Sequence, residues 1–208
     1  MIIKTCVVGV VSTNCYLLIN ENTKETIIID PGAEADKIIL KIKELNVKPV
    51  AILLTHGHFD HVMAVKDLVE EYGIKTYGSK EEVAIFENDS LNCSGMIRQN
   101  YELEVDILLE DNEKVNLAGF DIEVIHTPGH TQGGVCYYIE DEGVLFSGDT
   151  LFADSIGRTD LPTGDIRALR NSIIKRLFVL PEEVEVYPGH GAKTTIGHEK
   201  AHNPFILE

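Results

Sequence analysis

The sequence predicts an α/β fold in which two β-sheets pack against each other and carry helices on their outer faces. Three observations lead to it. Apolar segments of strand length recur along the chain, stretches with helical spacing are interleaved among them in the first half, and strands separated by tight turns fill much of the second. The 208 residues are 44% hydrophobic, enough to bury a substantial core. No Gly/Ser linker, low-complexity tract or solenoid repeat divides them, so residues 1–208 are expected to form a single domain.

In chain order, strands are predicted over 2–9, 15–19 and 26–30, the last ending in the turn Asp30-Pro31-Gly32. Ile38, Ile39, Ile42 and Leu45 then fall at helical spacing. A strand over 50–54 runs into a histidine-rich loop, behind which Asp60 is placed to cap a helix with Val62, Val65, Leu68, Val69 and Tyr72 on its apolar face. A short strand over 75–77 and a helix over 80–86 complete the first half. Residues 88–105, which include Leu91, Cys93, Met96, Arg98 and Tyr101, have no clear period and read as a functional loop or a partly helical excursion. Strands over 114–117, 120–126, 135–139 and 143–147 form a meander with turns at Ala118-Gly119 and 141–143. Asp165 is placed to cap a helix with Ile166, Leu169, Ile173 and Leu177 on one face, and a last strand passes through Val184 and Val186.

Composition narrows the function. A formal net charge of −16 argues against a nucleic-acid backbone as partner, because that contact draws on a basic face. No apolar run reaches the roughly 20 residues that span a bilayer, and the apolar start is interrupted by Thr5, Gly9, Ser12, Thr13 and Asn14 without a basic leader. Cys6, Cys15, Cys93 and Cys136 lack metal or redox spacing and read as reduced, mostly buried thiols. A cytoplasmic protein with a small-molecule substrate, no nucleic-acid or membrane partner, and an open oligomeric state is the expectation.

The chemistry is concentrated in Thr55-His56-Gly57-His58-Phe59-Asp60-His61, where His56, His58, Asp60 and His61 crowd behind an apolar strand. Imidazoles and a carboxylate this close compete for partners unless a cation organises them. The same device recurs downstream: His130 in Thr127-Pro128-Gly129-His130, Asp149 in Ser147-Gly148-Asp149, and His190 in Tyr187-Pro188-Gly189-His190 each follow an apolar strand and a glycine. Glycine allows a sharp turn and a close approach to an ion. His126, on a strand, reads as a packed or hydrogen-bonded residue, and His198 and His202 as surface or helix residues; all three are left out of the site. Arg158 could contact an anionic substrate, but with Asp154, Asp160 and Asp165 nearby in sequence it reads first as one half of an ion pair.

The order His-x-His-x-Asp-His, then His, Asp and His, with Asp30-Pro31-Gly32 upstream and Gly157-Arg158-Thr159-Asp160 and Pro188-Gly189-His190-Gly191 downstream, resembles the metallo-β-lactamase fold superfamily. Within it the chain is similar to short glyoxalase II-like hydrolases. The resemblance implies a four-layer αββα sandwich with two divalent metal ions at one edge, zinc first with iron or manganese as alternatives. It assigns His56, His58 and His130 to one ion, Asp60, His61 and His190 to the other, and Asp149 to the bridge, while Asp30 supports ligands from behind. Ions about 3.5–4 Å apart would share a hydroxide, with Asp60 helping to position it. That implies hydrolysis of a small thioester, whose thiol, with a pKa near 8.5, leaves without a strong general acid. Full-length glyoxalase II enzymes carry basic glutathione-binding residues in a further C-terminal region, whereas the tail Ala201–Glu208 has no arginine or lysine. The alternatives are a mononuclear iron persulfide dioxygenase using His56, His130 and Asp149, and a lactone or ester hydrolase.

Overall fold

A computed structural model describes residues 1–207; Glu208, the last residue of the expected domain and of the tail, lies outside them. Two six-stranded sheets dominate. The first has the order β1 (Ile2–Val8), β2 (Thr13–Ile19), β3 (Glu25–Ile29), β4 (Lys48–Leu53), β5 (Lys75–Ser79), β6 (Ile107–Leu109). Its first three strands are antiparallel and β3 to β6 are parallel. Parallel pairs need crossovers, which helices supply: α1 (Ala35–Leu45) joins β3 to β4, and α2 (Phe59–Val62) and α3 (Val65–Tyr72) join β4 to β5. Beyond β5, a 3-10 turn over Lys80–Glu82 leads into α4 (Val83–Phe86).

The predicted meander is the body of the second sheet: β7 (Lys114–Leu117), β8 (Phe120–His126), β9 (Val135–Ile139) and β10 (Val144–Gly148) pair antiparallel in sequence order. A small hairpin, β11 (Leu151–Phe152) with β12 (Ser155–Ile156), follows. The chain then crosses through α5 (Ile166–Ser172) to β13 (Glu185–Pro188), parallel to β10, with β14 (Thr194–Thr195) at the edge. Helices α6 (Ile196–His202) and α7 (Pro204–Leu207) close the described chain.

Alternation of side chains places the core. In β2 to β4, Leu18, Ile27, Ile29, Ala51 and Leu53 face the other sheet and meet Ile122, Val124, Val135, Tyr137 and Phe146. The intervening Leu17, Ile28 and Ile52 face outward beneath Ile38 and Ile42 of α1 and Leu68 of α3. On the far side Leu145 and Val186 pack against Leu169, Ile173 and Leu177. Strands covered on both faces are apolar at nearly every position, as Cys15 to Ile19 of β2 are, and the result is the four-layer sandwich. The four cysteines are free and buried. No described helix is long and apolar enough to cross a membrane.

Three expectations change. The helix foreseen behind Asp60 is broken: Ala64 N–H bonds the carbonyl of Pro31 at 3.0 Å, and Gly32 packs so close to the Asp60 carbonyl that a Cβ would sit 1.5 Å from its oxygen. Asp60 is not a cap either, since His58 holds that position and the Asp60 side chain turns toward other histidines. Asp165 does cap α5, accepting from Arg167 and Ala168 N–H, but Ile166 is 46% exposed rather than on the buried face, and Ile173–Leu177 continues as a π-helical turn. Strand β6 was hidden because three residues are too few for a period to show.

Tyr137, fully buried between the sheets, donates its hydroxyl to the Leu54 carbonyl at 2.7 Å, where the chain leaves β4 for the histidine loop. Tyr137→Phe is expected to lower the unfolding free energy by about 1–3 kcal/mol, the cost of an orphaned buried carbonyl, as read by denaturant titration.

Candidate metal centre

The sandwich brings all seven predicted donors to one edge. His56 and His58 lie just past β4, Asp60 and His61 in α2, His130 past β8, Asp149 directly after β10, and His190 after β13. Three groups have donor atoms within 4.8 Å of one another: His56, His58 and His130; His56, His61 and Asp149; and Asp60, His61 and His190. His58 Nδ1 stands 2.9 Å from His130 Nε2. His61 Nε2 lies 3.5 Å from Asp60 Oδ2 and 3.4 Å from Asp149 Oδ1. Asp149 Oδ2 is 3.5 Å from His130 Nε2 and 3.6 Å from His190 Nε2, so its carboxylate touches donors of both outer groups.

Three of the five rings are aimed by a partner on the other nitrogen. His56 Nδ1 is 3.1 Å from Thr55 Oγ1, and His130 Nδ1 is 2.8 Å from the Arg158 carbonyl. His61 Nδ1 is 3.0 Å from Asp30 Oδ2. Asp30, in left-handed backbone with φ 50°, also accepts from Thr55 N–H and Thr55 Oγ1, which ties the histidine loop to the end of β3. This is the supporting position the resemblance implied. Such partners fix imidazole orientation and tautomer.

Electrostatics distinguish the two sides. Burial, reinforced by neighbouring histidines, pushes His56 well below the usual imidazole range and His58 down to about 3. Burial would lower His61 as well, but Asp60, Asp149 and Asp30 overcome it and raise it. Burial would raise Asp60 and Asp149, and the facing histidines hold both below the usual carboxylate range. His56 Nε2, His58 Nε2, His61 Nε2 and Asp149 Oδ1 are buried with no hydrogen-bond partner. Buried polar atoms are normally paired, so nitrogen and oxygen donors orphaned together fit divalent cations of the zinc, iron or manganese type.

Local sequence did not reveal Glu82. Its side chain is buried beside α4, where Oε1 accepts from Gly57 N–H at 2.9 Å and Oε2 from Gly133 N–H at 2.8 Å and Thr131 Oγ1 at 3.0 Å. It therefore clasps the turn between His56 and His58 to the turn after His130. In Lys80-Glu81-Glu82 it looks like one more surface acid, and only the packing shows otherwise. Thr13, which donates to Asp60 Oδ2 at 3.1 Å, was missed for the same reason.

His126, Arg158 and His198 make other contacts, Arg158 while lining the cavity on the donors. His126 Nε2 is 3.0 Å from the Gln132 carbonyl, and Arg158 pairs with Asp160 through two contacts of 2.7 Å. His198 is near Asp154 and Glu199, but Glu199 already accepts from Asp154 N–H, Thr194 and Asn203. A cavity of 390 Å³ opens on the donors, walled by Val11, Phe59, Cys93, Phe152, Ile156 and Leu161. Cys93 brings the 88–105 segment to this mouth.

A family model described as Metallo-beta-lactamase superfamily matches residues 8–190. A probable metallo-hydrolase, YqgX, of Bacillus subtilis is 41% identical over 96% of this chain and 94% of its own length. Hydroxyacylglutathione hydrolase GloC of Haemophilus influenzae is 39% identical over 93% and 92%. Among solved structures, BLEG-1 B3 metallo-beta-lactamase matches with a TM-score of 0.95 and 41% identity over the full length of both chains. TTHA1623 in a di-iron-bound form matches with a TM-score of 0.86 and 37% identity, covering 97% of this chain and 99% of that one.

A Cβ on Gly189 would lie 2.2 Å from Asp149 Oδ1 and 2.7 Å from His61 Cε1. Gly189→Ala is expected to displace both side chains and lower cation content, read by elemental mass spectrometry, with far-ultraviolet circular dichroism unchanged. Burial pushes Glu82 up to about 8 against the pull of its three donors. Between about 4.5 and 8 the folded chain then keeps a proton that the unfolded chain releases, so stability drains away as pH rises. With chelator present, the melting temperature of the parent should fall relative to Glu82→Gln from pH 5 to pH 8; a constant difference would mean that the carboxylate is ionised throughout.

Proposed function

The chain belongs to the metallo-β-lactamase superfamily, and from that membership we propose that it is a dinuclear metallo-hydrolase of small thioesters, with His56, His58 and His130 holding one cation, Asp60, His61 and His190 the other, and Asp149 bridging. The observation that carries this reading is Asp149, whose two oxygens face histidines of both groups. The relative named hydroxyacylglutathione hydrolase supports the thioester, and the di-iron neighbour supports two ions.

When bound, the cations supply Lewis acidity toward the carbonyl and lower the pKa of water. The chain's residues do the rest. Thr13 and His190 fix the Asp60 carboxylate at the cavity floor, and Asp30 holds the His61 ring edge-on to it. Phe59, Phe152, Ile156 and Leu161 keep bulk water from the reacting carbonyl. Water oxygen bonds to the carbonyl carbon, the C–S bond breaks, and the sulfur leaves with its electron pair and takes up a proton, giving acid and thiol. Burial raises the Cys93 thiol at the cavity wall, which leaves it little thiolate to act as a nucleophile. No covalent intermediate is expected. The match to a B3 metallo-beta-lactamase favours β-lactam hydrolysis as a second reading of the same centre.

Protein purified without chelator should carry close to two cations per chain, of zinc, iron or manganese, and hydrolyse S-lactoylglutathione faster than a chromogenic cephalosporin. One iron per chain with oxygen uptake on a glutathione persulfide would replace this reading with a dioxygenase. Asp149→Ala should lose cation and reduce kcat/KM by at least about 100-fold, above the range seen when partners behind the ligands are removed. Unchanged metal content and turnover would eliminate the bridge.

A further inference from the structure

A second cavity, of 470 Å³, adjoins the donor cavity and shares Val11, Phe59 and Asp60 with it. Its walls come from the turn between β1 and β2, the start of α1, α2 and the 3-10 turn over Ser94–Ile97. Val10, Val11, Ala33, Met63 and Ile97 present apolar surface there, and Val10 is 94% and Ile97 40% exposed. No lysine or arginine lines this groove, while Glu34 and Asp60 do. In the adjoining cavity Arg158 is held in both its contacts by Asp160.

Both walls are anchored to the donors. At the base of the hairpin Thr13 bonds Asp60, and Asn14 Nδ2 donates to the carbonyls of Pro188 and Gly191 on either side of His190. Opposite, Phe59 N–H bonds the Asn92 carbonyl at 2.8 Å and Tyr101 Oη donates to the Val62 carbonyl at 2.8 Å. The groove thus has a set position relative to Asp60 and His61, as a substrate subsite requires.

We propose that this groove receives an uncharged, apolar arm of the substrate, carried on the acyl or the thiol side of the thioester, and that the chain selects such thioesters over anionic glutathione conjugates. The inference rests on the thioester reading of the centre. An apolar arm covers Val10, Val11, Met63 and Ile97, whereas the carboxylates of glutathione would meet Glu34 and Asp60 in a groove that no lysine or arginine lines.

The metal-loaded chain should be assayed on N-acetylcysteamine thioesters with acyl chains of two to eight carbons, on acetyl thioesters of alkyl thiols of rising length, and on S-lactoylglutathione. One of the two series should gain about fourfold in kcat/KM per methylene over its first steps, the value of a buried methylene, and that series identifies the arm. The long-to-short ratio should collapse toward one in Ile97→Asp and Val11→Asp. Flat series, or a preference for S-lactoylglutathione over every alkyl thioester, overturns the proposal. Calorimetry with S-hexyl and S-methyl thioethers of N-acetylcysteamine separates the groove from the reaction. Tighter hexyl binding that Ile97→Asp abolishes supports the groove even where no thioester is hydrolysed, a result that would count against the hydrolase alone; equal binding of the two thioethers overturns the groove.

Discussion

Confining five imidazoles and two carboxylates to one buried edge is the constraint to which the remainder of the molecule answers. Each group is costly to bury alone. The solution is to give most rings a neutral or acidic partner on the outer nitrogen, as Thr55, Asp30 and the Arg158 carbonyl do, so that the inner nitrogen faces the shared space. Asp60 and Asp149 then set opposite charge against His61 and His190.

The sandwich suits this task because strand ends repeat at fixed spacing. β4 in one sheet, and β8, β10 and β13 in the other, send their following loops to the same edge. Apolar side chains on both faces make those strands rigid supports. The loops themselves are cross-tied: Glu82 joins the two turns that carry His56, His58 and His130, and Tyr16 Oη and Asn14 Nδ2 hold the Pro188 carbonyl ahead of His190. Gly189 permits Asp149 to sit against this turn, where any larger residue would displace it.

Such a centre is general in its chemistry, and members of one superfamily share it while differing in substrate. On the reading proposed above, selectivity lies in the walls. Here Val10 and Val11 of the β1–β2 turn and Ile97 of the 94–99 turn present apolar side chains to the groove, and the hydrogen bonds that support these turns also position Asp60, His61 and His190. The groove walls and the donor geometry are therefore mechanically linked through α2.

What could be read along the chain was whatever is local. Strand and helix periods report which side of an element is buried, so the meander from β7 to β10, the Asp165 cap and the strand leading to His56 were legible; the crowded run offered His56, His58, Asp60 and His61 as candidate donors, and the repeated strand, glycine, His or Asp device offered His130, Asp149 and His190. The break between α2 and α3 was not, because it depends on Pro31 and Gly32 arriving from the end of another strand. Nor was Glu82, whose burial is created by two glycine turns 25 and 51 residues away. Hydrogen bonds and cavities between distant segments leave no period in the sequence; they arise only when packing brings those segments together, and at this edge they determine which way the donors point and what can reach them.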